Sequence, residues 1–170
     1  MNRLPKIFIC FLIIIVCVGC DQVTKAVAIN TLTYAQPVPM LGNLFVLQLV
    51  KNDGAFLSLG SDWPYFYRLI FLILLPIIVI FSIGVVILKS NRFSSFSLIS
   101  FALILGGGIG NLWDRLLNDG LVVDFMNLGI GNLRTGIFNF ADVFIMFGLG
   151  MLLYENLRKY HIKKYNIPGR

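Results

Sequence analysis

The feature that most constrains this chain is a run of twenty residues, 69–88, without a charged side chain (LIFLILLPIIVIFSIGVVIL). A helix needs about 20 apolar residues to cross the hydrocarbon core of a bilayer, and this run has that length. Comparable runs occupy residues 93–113 and 135–154, the second interrupted only by Asp142. We therefore expect the chain to cross a membrane several times.

The overall composition supports a membrane protein. Hydrophobic residues make up 58% of the 170 residues and charged residues only 13%, whereas a soluble domain carries about 25% charged residues. Such a chain has too few charges to cover a hydrated surface, so its apolar excess is expected to face lipid. The length suits a single integral membrane domain, residues 1–170.

The first residues allow two interpretations. A basic start, an uncharged run (7–20) and Cys20 at its end are typical of a lipoprotein export signal that is removed before that cysteine. However, removing the segment would leave the rest of the chain just as apolar. Asp21 and Lys25 form an i,i+4 pair that allows one helix to continue past the cysteine. We therefore expect the segment to be retained as the first span.

Four spans are the simplest count, and their predicted bounds are about 7–28, 69–88, 93–113 and 135–156. Placing both termini in the cytoplasm gives the cytoplasmic segments nine of the fourteen Lys and Arg residues, as the positive-inside rule prefers. The net charge of +6 is then explained by topology and by attraction to anionic lipids rather than by nucleic-acid binding.

The segment between the first two spans, about 31–67, is predicted to form a small extracytoplasmic β-sheet. Within it, residues 43–59 alternate and are rich in Val, Leu and Phe, which indicates strands. Asn52-Asp53-Gly54 is a typical hairpin turn sequence. The expected fold is mainly α, with four transmembrane helices and this sheet.

Two acids are candidates for chemistry. An ionisable group inside a span is costly and is a functional candidate by default, and Asp142 falls in the last apolar run. Asp124 follows a segment interpreted as a non-helical loop and precedes the return to the bilayer. Individually they could be a packing carboxyl and an ordinary loop acid. Two carboxyl groups at similar depth could instead share one proton and act as the acid and base of an aspartic peptidase.

Other schemes fit less well. The only histidine, His161, lies in the basic tail, so a Ser-His-Asp or Cys-His site has no base, and no H-E-x-x-H zinc motif occurs. Three cysteines in the first span are interpreted as small packing residues. A small proton-coupled carrier using the two acids as a relay remains the alternative, although no inverted repeat is visible.

The third span ends in the sequence GGGIGNLWDR. Gly106 and Gly110 form the small-xxx-small pattern that permits close helix packing. Asn111 and Arg115 lie one turn apart on one helix face. They could be a donor pair that holds substrate or braces the acidic site, while an interfacial anchor or a partner for Asp114 is the simpler role for Arg115.

These residues resemble the signal peptidase II family, the bacterial lipoprotein signal peptidases, which are intramembrane aspartic peptidases. The similarity covers nearly the whole chain in five ordered blocks, D-Q-x-x-K, N-x-G-A-F, G-G-x-x-G-N-x-x-D-R, G-x-V-x-D-F and F-N-x-A-D. They comprise Asp21, Gln22 and Lys25; Asn52, Gly54, Ala55 and Phe56; Gly106, Gly107, Gly110, Asn111, Asp114 and Arg115; Gly120, Val122, Asp124 and Phe125; and Phe138, Asn139, Ala141 and Asp142.

The resemblance implies roles for individual residues. Asp124 and Asp142 would be the catalytic dyad, and the residues that line or brace the site would be Asn52, Gly54, Asn111, Arg115 and Asn139. Asp21 and Lys25 would be mainly structural.

The resemblance also implies a substrate and a place in the cell. The enzyme would be a monomer in the bacterial inner membrane, in contact with lipids and with its site near the extracytoplasmic face. It would cleave diacylglyceryl-prolipoproteins before the lipidated cysteine, without a metal or organic cofactor.

Overall fold

The computed structural model describes residues 3–55, 59–89 and 93–165. Within these ranges the prediction of four long apolar helices is confirmed, because four helices are long and apolar enough to cross a membrane. They are α1, Arg3–Thr31; α2, Tyr65–Lys89; α3, Ser95–Leu117; and α4, Phe140–Tyr165. Phe56, which belongs to the second of the five sequence blocks, lies outside the described residues.

Close approach of α1 and α3 depends on two glycines of α3. A Cβ atom at Gly106 would lie 2.5 Å from the Cβ of Cys17, and one at Gly110 would lie 2.7 Å from the Oδ2 of Asp21. Neither position has room for a larger side chain. As a result, α3 packs directly on the charged turn of α1.

The second helix, α2, changes its winding near its start. It begins with one α-helical turn, Tyr65–Arg68, continues as a π-helix over Leu69–Leu74, and returns to α-helix from Leu75 to Lys89. A π-helical segment widens the turn and frequently occurs at functional sites.

In the described part of the chain, four antiparallel strands form one sheet in the order β1-β2-β3-β4. Two of them precede α2 and two lie between α3 and α4. Their bounds are β1, Val38–Met40; β2, Phe45–Asn52; β3, Val122–Ile130; and β4, Leu133–Arg134.

The second strand of the hairpin predicted at Asn52-Asp53-Gly54 falls mainly on residues 56–58, which lie outside the described residues. Strand β2 ends at Asn52, and the described residues between that turn and α2 contain no further strand. Instead β2 pairs with β3, so Val50 lies opposite Asp124. The predicted sheet segment, residues 31–67, therefore includes β1 and β2 but not β3 and β4. The physical reason is burial, because Val123 of β3 packs in one apolar cluster with Leu49 of β2 and Ala28 of α1.

The fourth helix begins five residues later than the predicted start of its span. Residues 135–138 pair with β3: the amide of Thr135 donates to the Leu128 carbonyl over 2.7 Å, and Phe138 bridges Met126. The helix begins at Phe140. Asp142 therefore lies in the first helical turn. The sequence had instead indicated a position well inside the apolar run.

Candidate active site

Asp124 lies on the central strand β3 and is only 2% exposed. Each of its carboxylate oxygens accepts a hydrogen bond from an asparagine amide. The Nδ2 atom of Asn52 donates to Oδ2 over 2.9 Å, and that of Asn139 donates to Oδ1 over 2.6 Å. Strand pairing explains the first contact, because β2 and β3 run side by side at this point.

The turn after β2 fixes the orientation of the Asn52 amide. The backbone N–H of Gly54 donates to Asn52 Oδ1 over 2.9 Å, so the NH2 group of Asn52 is left to donate to Asp124. The same turn is held from α3, because Arg115 Nη2 donates to the Gly54 carbonyl over 2.8 Å. Arg115 thus acts on Asp124 through the turn.

Asp142 and Asn139 form a reciprocal cap at the N-terminus of α4. The backbone N–H of Asn139 donates to Asp142 Oδ2 over 3.1 Å, and the backbone N–H of Asp142 donates to Asn139 Oδ1 over 3.0 Å. This is the capping-box pattern, which satisfies amides that a helix start leaves unpaired. Asn139 therefore contacts the carboxyl groups of both Asp124 and Asp142.

A third asparagine, Asn111 of α3, completes the arrangement. Its Nδ2 donates to Asp142 Oδ1 over 2.8 Å. Its Oδ1 accepts from Lys25 Nζ over 3.2 Å and from Asn139 Nδ2 over 3.0 Å. Because two donors occupy the oxygen, the amide is held with its NH2 group towards Asp142.

Lys25 is the centre of a neighbouring ionic group. Its Nζ lies 2.7 Å from Asp21 Oδ2 and 3.0 Å from Asp114 Oδ2, and all three side chains are almost fully buried. Gln22 donates to Asp114 over 2.8 Å, and Asp21 accepts the Ala141 amide of α4 over 2.9 Å. The group connects α1 to both α3 and α4.

Both Asp124 and Asp142 line one cavity of about 330 Å³, which we term the dyad cavity. Its polar wall also includes Asn52, Asn111 and Arg115. The rest of its lining is mainly apolar: Ala55, Pro76, Gly108, Val122, Ile137, Ile145, Met146 and Leu149. A substrate with an apolar portion could therefore reach the two carboxyl groups together.

The environment of Asp124 favours its protonated form. Burial raises the pKa of this carboxyl to about 7, and the nearby charge of Asp142 acts in the same direction. The hydrogen bonds from Asn52 and Asn139 oppose the increase. An acid with a pKa near neutrality can exchange a proton during a reaction at physiological pH.

Most residues that the sequence singled out for this site lie together. The side chains of Asp124, Asp142, Asn52, Asn111 and Asn139 form one hydrogen-bonded group. In contrast, Gly106 and Gly110 lie at the contact with α1, outside the dyad cavity.

The sequence indicated no role for Gln22, and for Asp114 only that of a possible partner for Arg115. Asp114 pairs with Lys25, while Arg115 binds a carbonyl instead of this neighbouring acid. The sequence signal for the contact between Asp114 and Lys25 was the i,i+3 spacing of Asn111 and Asp114. This spacing places both side chains on one face of α3, where both contact Lys25.

Comparison with known proteins identifies related chains. Residues 13–158 match the family model described as signal peptidase (SPase) II. A lipoprotein signal peptidase of Leifsonia xyli subsp. xyli is 40% identical over 144 residues, which are 81% of this chain and 62% of that protein. One of Treponema denticola is 32% identical over 171 residues, covering 96% of this chain and 99% of the relative.

Two solved structures, both described as bacterial membrane enzymes, have the same fold. One superposes with a TM-score of 0.81 at 24% identity, covering 96% of this chain and 94% of the other. The second has a TM-score of 0.76 at 25% identity, covering 89% and 94%.

Proposed function

The chain belongs to the signal peptidase II family, and from this membership we propose that Asp124 and Asp142 are the catalytic dyad of a lipoprotein signal peptidase. The substrates are prolipoproteins whose cysteine carries diacylglycerol, and the bond cleaved is the one before that cysteine. The observation that supports the dyad most directly is that Asn139 donates hydrogen bonds to both carboxyl groups. No observation on the described residues favours the proton-coupled carrier.

The mechanism follows from the different surroundings of the two acids. Asp142 lies in the first turn of α4, where the helix dipole favours negative charge, and it accepts two N–H groups. It therefore takes a proton from the attacking water. Asp124, with its pKa near 7, gives its proton to the carbonyl oxygen of the scissile amide, which forms a gem-diol. Asp142 then gives its proton to the amide nitrogen, Asp124 takes one back from the gem-diol, and the C–N bond breaks to release the amine and the carboxylic acid. Two neighbouring carboxyl groups do not both ionise readily, because their negative charges repel, so the pair keeps one proton.

The neighbouring side chains position the dyad. Asn52 and Asn139 hold the two oxygens of Asp124, and Asn111 directs its NH2 group to Asp142. Arg115 fixes the Gly54 turn and lines the dyad cavity. Its positive charge also attracts the carboxylate that Asp124 becomes after it gives up its proton.

The membrane arrangement is part of the proposal. The enzyme is a multi-pass protein of the bacterial inner membrane, and its 170 residues form one membrane domain that acts as a monomer. Both termini lie in the cytoplasm, because this orientation places most Lys and Arg residues there. The sheet and the dyad then lie at the extracytoplasmic face, where the diacylglyceryl anchor delivers the cleavage site.

The test is cleavage of a synthetic prolipoprotein peptide with a diacylglyceryl cysteine in detergent micelles. We expect Asp124→Asn and Asp142→Asn each to lower kcat at least about 100-fold, the scale of general acid–base catalysis. Asp62→Asn, which changes an exposed acid outside the dyad cavity, is the matched control and retains activity. Normal cleavage by either dyad variant would contradict the proposal.

A further inference from the structure

A second cavity, of about 360 Å³, adjoins the dyad cavity and shares Arg115 with it. We term it the outer cavity. Pockets of a few hundred Å³ are the size that binds small ligands or short peptide segments. The outer cavity is lined by the turn after β2, the start of α2, the end of α3 and the following turn: Asp53, Tyr65, Arg68, Leu69, Leu72, Ile73, Arg115, Leu116, Asp119 and Gly120.

One wall of the outer cavity has an unusual backbone. The π-helical segment of α2 contributes Leu69, Leu72 and Ile73 to it, and π-helical turns are frequent at functional sites. Asp119 lines the same cavity directly after the C-cap of α3. Its φ of 54° is the left-handed conformation with which helices commonly end, and it allows the Gly120 amide to donate to the Arg115 carbonyl over 2.9 Å. The helix end therefore holds Asp119 at a fixed position in the lining.

Of the charged side chains that line the outer cavity, one has no partner among the described residues. Arg68 Nη1 lies 2.7 Å from Asp53 Oδ2, so these two charges neutralise each other. Arg115 donates to the Gly54 carbonyl. The carboxylate of Asp119 has neither an ion pair nor a hydrogen bond among the residues that the structure describes. Asp119 therefore offers a free acceptor and a negative charge to an occupant.

We propose that the outer cavity binds the two residues that follow the lipidated cysteine of the substrate, and that Asp119 determines which side chains it prefers there. The inference rests on the proposed function and extends it. The dyad cavity is mainly apolar and suits the signal-peptide side of the scissile bond. The outer cavity carries four charged side chains and suits the polar mature segment. Arg115, which lines both, marks the boundary where the chain passes the dyad.

The expected preference for substrate residues follows from the negative charge of Asp119. Lysine in the two positions gains a favourable interaction with Asp119, whereas aspartate is repelled. The Asp119 side chain is exposed. Charge pairs at exposed positions contribute at most about 1 kcal/mol, which corresponds to about a fivefold difference in kcat/KM. The difference is small but measurable by direct competition between peptides.

The experiment uses three diacylglyceryl peptides that differ only in the two residues after the cysteine, Ser-Ser, Lys-Lys or Asp-Asp. Wild-type enzyme is expected to prefer Lys-Lys over Asp-Asp by about fivefold in kcat/KM. Asp119→Asn, which tolerates the same φ, is expected to bring that ratio close to one. Asp62→Asn, an exposed acid outside the cavity, should keep the wild-type ratio.

Several results would overturn the inference. One is an unchanged ratio in Asp119→Asn, and another is an equal loss of kcat/KM for all three peptides. A third is an effect of Asp119→Asn that follows the charge of added lipid instead of the peptide sequence, since that would indicate a lipid headgroup as the occupant. Failure of the wild-type enzyme to cleave any peptide would overturn the proposed function itself and is recognisable as such.

Discussion

Two pairs of acids lie near the start of α4, and their partners differ. Asp21 and Asp114 share the ammonium group of Lys25 at 2.7 and 3.0 Å. We term these three residues the ionic group. Asp124 and Asp142 are held instead by neutral asparagine amides. The first pair shares one cation, whereas the second has no salt bridge among the described residues and lines the dyad cavity.

The comparison shows why two similar pairs of carboxylates have different roles. Two carboxylates that share a buried ammonium group connect helices through ion pairs. A carboxylate with neutral donors and a second carboxyl nearby can hold a shared proton, which hydrolysis requires. Asn111 connects the two pairs, because its oxygen accepts from Lys25 and its NH2 group donates to Asp142.

The largest expected effect comes from removing the cation of the ionic group. Lys25→Met leaves Asp21 and Asp114 buried without compensation, which is expected to cost about 3–5 kcal/mol of stability. Thermal unfolding in detergent measures the loss. Lys51→Met, at an exposed position, is the control and should unfold like the wild type. An unchanged midpoint for Lys25→Met would remove the distinction between the two pairs.

Removing one member of the dyad should affect catalysis far more than folding. Asp124→Asn is expected to lose at least about 100-fold in kcat. Its stability should fall by only about 1 kcal/mol, because an amide at this position can accept from one of its two asparagine donors but not from both. Cleavage assays and thermal unfolding on the same preparation test this. A loss of stability comparable to that of Lys25→Met would show that Asp124 is also structural.

Close packing should be essential on the side of the ionic group. Gly110→Ala places a Cβ 2.7 Å from Asp21 Oδ2, and overpacking of this kind costs about 1–3 kcal/mol. Gly84→Ala, where a Cβ meets no atom within 4 Å, is the matched control and should be neutral or slightly stabilising. Equal midpoints for the two variants in thermal unfolding would contradict the observed helix contact.

The pH profile provides the smallest and most specific effect. Because Asp124 must be protonated to act as the acid, activity should decline above about pH 7, by up to about tenfold per unit. Asn52→Ala removes a donor that lowers this pKa, so the decline should move to higher pH. A profile that Asn52→Ala moves to lower pH would refute the assignment.

The same pKa affects stability. The folded-state value, about 7, lies above the ordinary 3.8, so folding favours the protonated form. This contribution to stability is complete below the ordinary pKa and is lost as the pH rises through about 7.

The helices were predictable from the sequence because an uncharged run of membrane length is rarely anything but a membrane-spanning helix. The presence of a small sheet was predictable from the alternation in residues 43–59. Its pairing was not, because Asn52 and Asp124 are 72 residues apart and β2–β3 pairing depends on apolar packing that no local pattern encodes. The start of α4 was misjudged, although Asn139 and Asp142 have the spacing of a capping box.

The site residues were predictable mainly through resemblance, and their contacts were not. The sequence indicated an acid–amide group, but it did not indicate that Asn139 would donate to both Asp124 and Asp142, since helix capping and strand pairing meet only in the folded chain. Nor did it indicate that Asp114 would join Lys25.

The central claim is that Asp124 is the member of the dyad whose carboxyl group holds a proton near neutral pH. Difference infrared spectroscopy between about pH 5 and pH 9 detects protonated carboxyl groups directly, since the C=O stretch disappears on ionisation. We predict a band that titrates near pH 7 in the wild-type enzyme and is absent from Asp124→Asn. Persistence of that band in Asp124→Asn, with loss in Asp142→Asn, would contradict the account.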